Sequence, residues 1–244
     1  MKMKGLLSLA CCIVMLLILD CSFGLAESEN QDGITKEYYK SGQLKSVWRY
    51  KDDILLASTG YYENGKLQFD RSYVDGKLDG ITEEYYRNGE LKAEWRYKND
   101  LLLSSKAYYE SGELRYEHSY AEGKLNGTTK EYHKSGELKA EWQYSDDSLV
   151  GSRTFYKSGK LRYEQSYAEG KLNGMAKEYY ESGEVKAEWY YDNDKLVESK
   201  GFYEAGGLHY DRNYVDGKLN GITKEYYEDG TLKKEWHYKD GKLQ

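Results

Sequence analysis

Residues 129–144, TKEYHKSGELKAEWQY, determine the predicted fold. Two runs with aromatic residues flank Ser135-Gly136, and a Ser-Gly pair between such runs is typical of a β-hairpin, because glycine readily adopts the positive φ of a tight turn. The second run alternates with a period of two, as a half-buried β-strand does. One predicted face of this strand therefore carries Leu138, Ala140, Trp142 and Tyr144, and the other carries Lys139, Glu141 and Gln143.

The register of this hairpin depends on the length of its turn. A two-residue loop at 135–136 pairs His133 with Leu138. It also sets Lys130 opposite Glu141, and such opposite-charge pairs stabilise a hairpin by a few tenths of a kcal/mol. The same register gives the opposite-charge pairs Lys177/Glu188 and Lys224/Glu235 and the like-charge pair Glu83/Glu94. A three-residue loop would instead swap the two faces, so the register stays open at this stage.

The hairpin pattern recurs with a period of 47 residues. Tryptophan stands at positions 48, 95, 142, 189 and 236, and each period divides into half-units of 23 and 24 residues around turn glycines at 42, 65, 89, 112, 136, 159, 183, 206 and 230. Nine units result, which alternate a Trp-bearing form, as at 92–95, with a Tyr-bearing form, as at 115–117. A fixed short period is the signature of a repeat architecture.

These units predict an all-β fold, an elongated single sheet of tandem, stacked antiparallel β-hairpins over residues 33–244. The chain contains no proline that would interrupt a strand. One hairpin alone is only marginally stable, so we expect the units to stack edge to edge. A Tyr near the end of each unit and a Leu or Val after each first turn recur in every unit, which predicts that they pack between neighbouring units.

The N-terminal segment has the pattern of a secretory signal peptide, predicted at residues 1–26. A basic start precedes an apolar run at 5–19, and Gly24 and Ala26 place small residues before a cut at Glu27. The run is shorter than the about 20 residues of a membrane span. We expect a linker at 27–32 and a secreted, periplasmic or cell-surface protein, which meets the membrane only through an uncleaved signal or a lipid anchor.

Composition and charge argue against several classes of protein. The 244 residues include 28 Tyr and 5 Trp and carry a formal net charge of −6. So many aromatic residues argue against a disordered chain, and the acidic balance argues against a nucleic acid partner. All 3 cysteines lie at or before Cys21, so no disulfide framework is expected in the repeats.

The repeats offer no recognisable catalytic chemistry. The 4 histidines occupy different unit positions without the spacing of metal ligands, and no nucleophile, base and orienting group recur together. Acidic turns such as 146–147 lack the spaced ligands of a calcium loop. We therefore expect a protein that is not an enzyme and has no catalytic residue, no cofactor and no metal site.

The candidate binding site is a row of large side chains on the Leu/Tyr face. Its residues are Trp48, Trp95, Trp142, Trp189 and Trp236, with Arg71, His118, Gln165 and Arg212 at the equivalent positions of the alternate units. Such a row could anchor a partner, because Trp and Arg dominate binding hot spots, and Trp rings also stack on sugars. The alternative is that the tryptophans fill the core of the larger half-unit.

The motif Gly-x-x-Lys-Glu-Tyr-Tyr-x-x-Gly-x-Leu-Lys-x-Glu-x-x-Tyr-x-x-Gly-Lys-Leu-x-Gly is similar to the MORN-variant repeat of bacterial proteins, many of them labelled antitoxins of the YwqK type. The motif is clearest at 221–243, and the resemblance covers about residues 33–243. It implies stacked β-hairpins and an interaction or scaffolding role without catalysis. The Trp-bearing units depart from it in the second turn, where 52–53, 99–100, 146–147 and 193–194 lack its glycine.

Two main classes of function follow. The first is an exported, non-catalytic scaffold that binds a protein partner in the cell envelope or outside the cell. The second is a glycan or cell-wall binding module that uses the Trp/Tyr face, with an envelope glycan as its partner. The family resemblance adds a third role, that of an antitoxin or immunity protein.

Overall fold

The computed structural model describes residues 32–244. The predicted signal peptide at 1–26 and its cleavage site lie outside the described residues. Within the described range the chain forms strands joined by short turns, without a helix. The strands are β1 (Gly33–Tyr38), β2 (Leu44–Lys51), β3 (Ile54–Tyr61), β4 (Leu67–Val74), β5 (Lys77–Tyr85), β6 (Leu91–Lys98), β7 (Leu101–Tyr108), β8 (Leu114–Ala121), β9 (Lys124–Leu125), β10 (Gly127–Tyr132), β11 (Leu138–Ser145), β12 (Ser148–Phe155), β13 (Leu161–Ala168), β14 (Lys171–Tyr179), β15 (Val185–Asp192), β16 (Lys195–Phe202), β17 (Leu208–Val215), β18 (Lys218–Leu219), β19 (Gly221–Tyr226), β20 (Leu232–Lys239) and β21 (Lys242–Leu243).

Consecutive strands pair in an antiparallel manner and form one open sheet. The short β9 and β18 are the first parts of strands that continue as β10 and β19, so β8 pairs with both β9 and β10, and β17 with both β18 and β19. At the equivalent positions β5 and β14 are continuous. The structure thus confirms the predicted all-β, elongated sheet of tandem hairpins, in which strands contact chiefly their neighbours in sequence.

The first turn of the hairpin formed by β10 and β11 has more than two residues. The backbone N–H of His133 donates to the carbonyl of Glu137 (2.8 Å), and that of Gly136 donates to the carbonyl of His133 (2.9 Å). This is a three-residue loop, in which Gly136 supplies the left-handed conformation that such a loop requires, with φ at +96°. Of the two loop lengths that the sequence left open, the three-residue one is present, and Leu138 lies opposite Tyr132 instead of His133.

A β-bulge next to this turn restores the predicted register. Glu131 lies opposite Ala140, so the register shifts between Glu131 and Tyr132. A bulge adds one residue to one strand and thereby compensates for the extra residue of the loop. Beyond the bulge Lys130 lies opposite Glu141, as predicted, and the faces are not swapped. The other predicted pairs are also in register: Lys177/Glu188, Lys224/Glu235 and Glu83/Glu94.

The second turn of each unit has two residues with positive φ, whether or not it contains glycine. Glu122 and Gly123 have φ values of 52° and 78°, and Asp146 and Asp147 have 48° and 65°. Positive φ at both positions defines the type I′ turn, in which Asn and Asp are tolerated besides glycine. The Trp-bearing units therefore depart from the family motif without changing the turn.

The second residue of these Asp-containing turns also joins neighbouring units. The Asp147 N–H donates to the Leu125 carbonyl (2.9 Å), and the Leu125 N–H donates to Asp147 Oδ1 (2.8 Å). The same two bonds join Asp100 to Leu78 and Asp194 to Leu172. Gly241, at the equivalent position, donates its N–H to Leu219 but has no side chain to accept the second bond. The aspartates therefore supply a hydrogen bond that the glycine of the motif cannot.

The sheet is a single layer. Among the described residues no large side chain is fully buried, and the buried apolar residues are Ala93, Trp95, Leu102, Ala140, Ala176 and Ala187. The tyrosine near the end of each unit is half-buried, as is nearly every Leu or Val that follows a first turn. Apolar side chains are thus covered by their neighbours on the same face and not by a second layer.

Tyrosine hydroxyls form a ladder along the first turns. The tyrosine that opens the turn donates its hydroxyl to a backbone carbonyl 22 or 23 residues further on, at 2.6–3.0 Å, and the donors are Tyr39, Tyr62, Tyr86, Tyr109, Tyr156, Tyr180 and Tyr203. Between Tyr109 and Tyr156 the equivalent residue is His133, which has no hydroxyl. The ladder therefore has a gap in the middle of the repeats.

Candidate functional site

The structure places all the predicted binding residues in one row across the sheet. Trp142 lies opposite Thr129 on one side and Ser152 on the other. Gln165 lies between Ser152 and Ala176. The complete set, hereafter the Trp row, is Trp48, Arg71, Trp95, His118, Trp142, Gln165, Trp189, Arg212 and Trp236. A small residue separates each member from the next, so tryptophans recur every four strands, about 19 Å apart.

The tryptophans of the row are partly covered by their neighbours. Trp95 is 8% exposed and clusters with Ala93 and Leu102, while Tyr97 and Tyr120 pack against this cluster. The other tryptophans of the row are half-buried. Trp95 therefore has the burial of a packing residue, whereas the others retain accessible ring surface that a partner can cover.

His118 and Gln165 are held by side chains next to them in the sheet. His118 Nδ1 lies 3.3 Å from Thr129 Oγ1, and its ring stacks on Tyr116 with 5.9 Å between the ring centroids. Burial lowers the pKa of His118, so this imidazole is neutral at pH 7. Gln165 Oε1 accepts a hydrogen bond from the Tyr167 hydroxyl (2.8 Å). Both residues thus place oriented hydrogen-bonding groups between successive tryptophans.

Arg71 and Arg212 lie over aromatic rings of their own strands. The guanidinium carbon of Arg71 is 4.5 Å from the ring centroid of Phe69, and that of Arg212 is 4.1 Å from the ring centroid of Tyr210. The rings cover the residues opposite them, Gly60 and Gly201, where a Cβ atom would collide with the ring. These cation–π contacts fix the planar, charged ends of both arginines on the sheet surface.

A second row on the same face contains Glu–Lys ion pairs that the sequence reasoning missed. Glu131, 7% exposed, accepts hydrogen bonds from Lys139 Nζ (2.8 Å) and from the Tyr116 hydroxyl (3.1 Å). Lys139 was expected on the opposite face, but the bulge beside it brings its ammonium group to Glu131. The hydrogen bond to Glu131 raises the pKa of Lys139. Equivalent pairs at 2.6–3.0 Å are Lys45–Glu37, Lys92–Glu84, Lys186–Glu178 and Lys233–Glu225.

A signal for these ion pairs was present in the sequence. A Glu and a Lys eight residues later recur with the 47-residue period, at the five pairs named above. Strict alternation assigns the two residues to opposite faces, and only the bulge, which the sequence pattern does not reveal, brings them together. The pairs fasten the two strands of each Trp-bearing hairpin beside the Trp row.

The described residues also bear on metal binding and membrane crossing. Residues 32–244 contain no group of three or more His, Cys, Asp or Glu side chains placed to hold a metal ion. Over this same stretch, no helix has the length and hydropathy needed to cross a membrane. In the acidic turn at 146–147, one carboxylate oxygen of Asp147 accepts the Leu125 N–H, which gives this residue a structural role.

The single sheet of tandem hairpins with recurring side-chain rows defines a β-repeat protein. The family model for the MORN repeat variant matches residues 31–52, 57–75, 78–99, 104–122, 125–146, 152–169, 172–193 and 219–240. These segments make up more than half of the chain, so the protein belongs to the MORN repeat variant family. The hairpin of β16 and β17, between the last two matched segments, has the same strand pairing as the others.

Comparison with solved structures shows similarity over most of the chain. The crystal structures of TcdB2-TccC3-Cdc42 and TcdB2-TccC3 match 86% of this chain, with a TM-score of 0.22 and sequence identities of 14% and 13%. The matched region is 13% of each of those chains, so this protein corresponds to a small part of their length. No curated protein matches the chain.

Proposed function

We propose that this protein is an exported, non-catalytic scaffold whose Trp row binds a protein partner in the cell envelope or outside the cell. The observation that carries the proposal is the recurrence of Trp every four strands, with Arg, His or Gln midway between successive tryptophans. Trp and Arg concentrate binding energy at protein interfaces. Family membership supports the proposal, since MORN repeats are generally found in scaffold or binding proteins.

The regular spacing of the row favours a partner with repeated or extended binding sites. Tryptophans about 19 Å apart on one continuous sheet can engage such a partner at several points. Each contact after the first is then intramolecular, so the overall affinity exceeds that of a single contact. A partner with one small site would gain nothing from the repetition.

The exported location rests on the predicted signal peptide at 1–26. Mass spectrometry of the protein recovered from the culture medium and the cell envelope tests it. We expect a mature N-terminus at Glu27. Recovery of a chain that begins at Met1 in the soluble cell fraction alone would contradict export.

A pull-down from cell-envelope fractions tests the binding proposal. We expect the purified protein to be retained on untreated envelope material and to lose this retention when the material is stripped with protease. The double variant Trp142→Ala, Trp189→Ala should retain at least about tenfold less partner, because two neighbouring anchors are truncated. Arg49→Ala is the control, since Arg49 is an exposed neighbour of Trp48 on the opposite face.

The melting temperature of each variant distinguishes a lost contact with the partner from a destabilised fold. A variant that melts near the wild-type temperature and binds less shows that the row contacts the partner. A large decrease in melting temperature would show that the tryptophans are packing residues. A Trp→Ala change in a core lowers the free energy of unfolding by about 3–5 kcal/mol. Unchanged retention by the double variant would also contradict the proposal.

A glycan-binding role is the alternative that one observation favours. His118 and Gln165 hold oriented hydrogen-bonding groups between Trp rings, which is a combination suited to a sugar chain. Retention on protease-stripped envelope, abolished by the same double Trp variant, would favour this role over the protein scaffold. The antitoxin or immunity role rests on the resemblance to YwqK-type antitoxins, and its test is co-purification with an exported toxin.

A further inference from the structure

The face opposite the Trp row carries a long alternation of charge. At one level of the sheet, acidic and basic residues alternate from strand to strand between β6 and β20, leaving out the short β9 and β18. This charge row is Glu94, Lys106, Glu117, Lys130, Glu141, Arg153, Glu164, Lys177, Glu188, Lys200, Asp211, Lys224 and Glu235. Several neighbours lie at ion-pair distances of 3.0–3.9 Å.

Beside the charge row runs a second row, in which two large residues alternate with two small ones. The small pairs are Ala57/Ser72, Ser104/Ser119 and Gly151/Ser166, and the large pairs are Ile81/Arg96, Thr128/Gln143, Met175/Tyr190 and Ile222/His237. A fourth pair at the small position is Glu198/Asn213. The small pairs leave depressions of about 380 Å³ at Ser104/Ser119 and about 430 Å³ at Gly151/Ser166.

Some residues of the large pairs in this second row expose apolar surface. Met175, Tyr190 and Ile222 are 40%, 43% and 39% exposed, although they stand on the charged face of the sheet. They recur with the same four-strand period as the depressions, so a ligand with that period can cover the large pairs and fill the depressions at once. Another copy of this chain has that period.

The geometry points to a second copy of this chain as the occupant of the charged face, packed face to face about a twofold axis that runs parallel to the strands between β13 and β14. Such an axis keeps the strands of the two sheets aligned, as in β-sandwiches. It also reverses the strand order, so β13 meets β14 of the other copy and β12 meets β15. The interface is isologous, which limits the assembly to two copies.

Opposite charges meet along the whole of this interface. Because the axis lies between two strands and the charges alternate, every acidic residue faces a basic one. The contacts are Glu164 with the partner's Lys177, Arg153 with the partner's Glu188, Glu141 with the partner's Lys200, Lys130 with the partner's Asp211, Glu117 with the partner's Lys224 and Lys106 with the partner's Glu235. Charge complementarity of this kind sets register and suppresses other arrangements.

The same axis inserts large residues into the depressions. Met175 meets the partner's Ser166, and Tyr190 meets the partner's Gly151. Further from the axis, Ile222 meets the partner's Ser119. Moving the axis onto a strand would set like charges against each other, and moving it by one strand would set large pairs against large pairs. At β16 and β17 the contact is polar, because Glu198 and Asn213 meet the partner's Gln143 and Thr128. This axis therefore satisfies the charge row throughout and the second row at the pairs named above.

A pair of charge variants tests this arrangement by sedimentation and light scattering of the purified protein. Glu164→Lys places Lys against the partner's Lys177 twice, and Lys177→Glu places Glu against the partner's Glu164 twice. We expect each variant alone to dimerise at least about tenfold more weakly than wild type. An equimolar mixture should regain the wild-type dimer, because each variant then meets an opposite charge in the other.

The mixing result separates the contact between copies from effects within one chain. Glu164 and Lys177 also lie opposite each other within one chain, but mixing cannot restore that contact. Glu94→Lys is the matched control, because Glu94 belongs to the charge row but faces no charge-row residue of the second copy, and this variant should dimerise like wild type. A wild-type protein that stays monomeric, or a mixture that does not regain the dimer, would overturn the proposal.

A steric variant tests the depression independently of charge. A Cβ atom at Gly151 would have backbone and Cβ neighbours no closer than 3.7 Å, so a side chain can begin there without a collision, and we choose Gly151→Leu. It fills the space that the partner's Tyr190 requires, and we expect at least about tenfold weaker dimerisation with an unchanged melting temperature of the monomer. Dimerisation equal to that of wild type would contradict the pairing.

Discussion

His133 shows how a single side chain marks one place in an otherwise regular ladder. In the neighbouring units Tyr109 and Tyr156 each donate a hydroxyl to a backbone carbonyl, at 3.0 and 2.6 Å. At 133 the imidazole replaces the phenol, so the carbonyl of Phe155 has no tyrosine hydroxyl in reach from that turn. The boundary between β10–β11 and β12–β13 therefore lacks one bond that other boundaries have.

His133→Tyr should supply the missing bond. We expect the free energy of unfolding to rise by about 0.5–1.5 kcal/mol, the usual net value of a hydrogen bond, as measured by urea denaturation. His133→Phe is the matched control, because it adds the ring without the hydroxyl. Equal effects of the two variants would show that the ring and not the hydrogen bond stabilises the ladder.

The β-turn is the element at which the Trp-bearing and Tyr-bearing units differ. Asp147 combines a positive φ of 65° with a side-chain bond to the Leu125 N–H, and these two contributions can be separated by substitution. Asp147→Gly retains the backbone conformation and removes the side-chain bond. Asp147→Ala removes the bond but retains the Cβ, which is unfavourable at positive φ and which Asp147 itself already carries.

The Ala variant should therefore be the less stable of the two. We expect Asp147→Ala to lower the free energy of unfolding by about 0.5–1.5 kcal/mol through loss of the bond. We expect Asp147→Gly to be about 1–2 kcal/mol more stable than the Ala variant, because it also removes the Cβ strain. Chemical denaturation of both variants measures the difference. A Gly variant as unstable as the Ala variant would assign the whole effect to the side-chain bond.

The hairpins also show which parts of an element the sequence could predict. Period-two alternation and the turn glycine predicted the strands and the Lys130–Glu141 pair correctly, since both depend on local pattern. The three-residue loop was one of two open alternatives, but the bulge that compensates for it was not predicted, because two insertions that cancel leave the distant register unchanged. The Lys139–Glu131 ion pair was missed for the same reason.

Tyrosine ionisation makes the free energy of unfolding of the sheet depend on pH in the alkaline range. Burial, followed by a hydrogen bond to a nearby Glu, raises the pKa of Tyr85, Tyr132 and Tyr179 to about 12. An unfolded tyrosine has a pKa of about 10. Between these values the unfolded chain loses protons that the folded chain keeps, so the stability is complete below pH 10 and falls as the pH rises towards 12.

The urea concentration at the denaturation midpoint should therefore decrease as the pH rises from 10 to 12. Tyr132→Phe should make this decrease shallower, by the contribution of the one proton that Tyr132 keeps only in the folded chain. The reason is that Phe carries no proton to lose in either state. Between pH 7 and 9, where these tyrosines keep their protons in both states, the two proteins should show the same dependence on pH. An equal slope in both proteins above pH 10 would show that Tyr132 titrates alike in the folded and unfolded chains.

At the scale of the molecule, the repeat period predicted the fold but not the exposure of the Trp row. The period determines that equivalent residues recur, whereas burial depends on whether a second layer covers the face, and no local pattern encodes that. The structure has one layer, which leaves Trp95 buried by its neighbours and Trp142 half-buried. The structure brings the candidate residues together in one row, and their role in binding stays a prediction.

Strands contact chiefly their sequence neighbours, and every 47 residues repeat the same contacts. The number of repeats can therefore change by whole periods. Recombination between coding segments for two repeats one period apart inserts or deletes 47 residues. The strand at the junction then pairs with a strand of the same type as before. Each such event changes the sheet by about 19 Å and one tryptophan. A chain that is longer or shorter by whole periods is therefore expected to keep the same strand pairing.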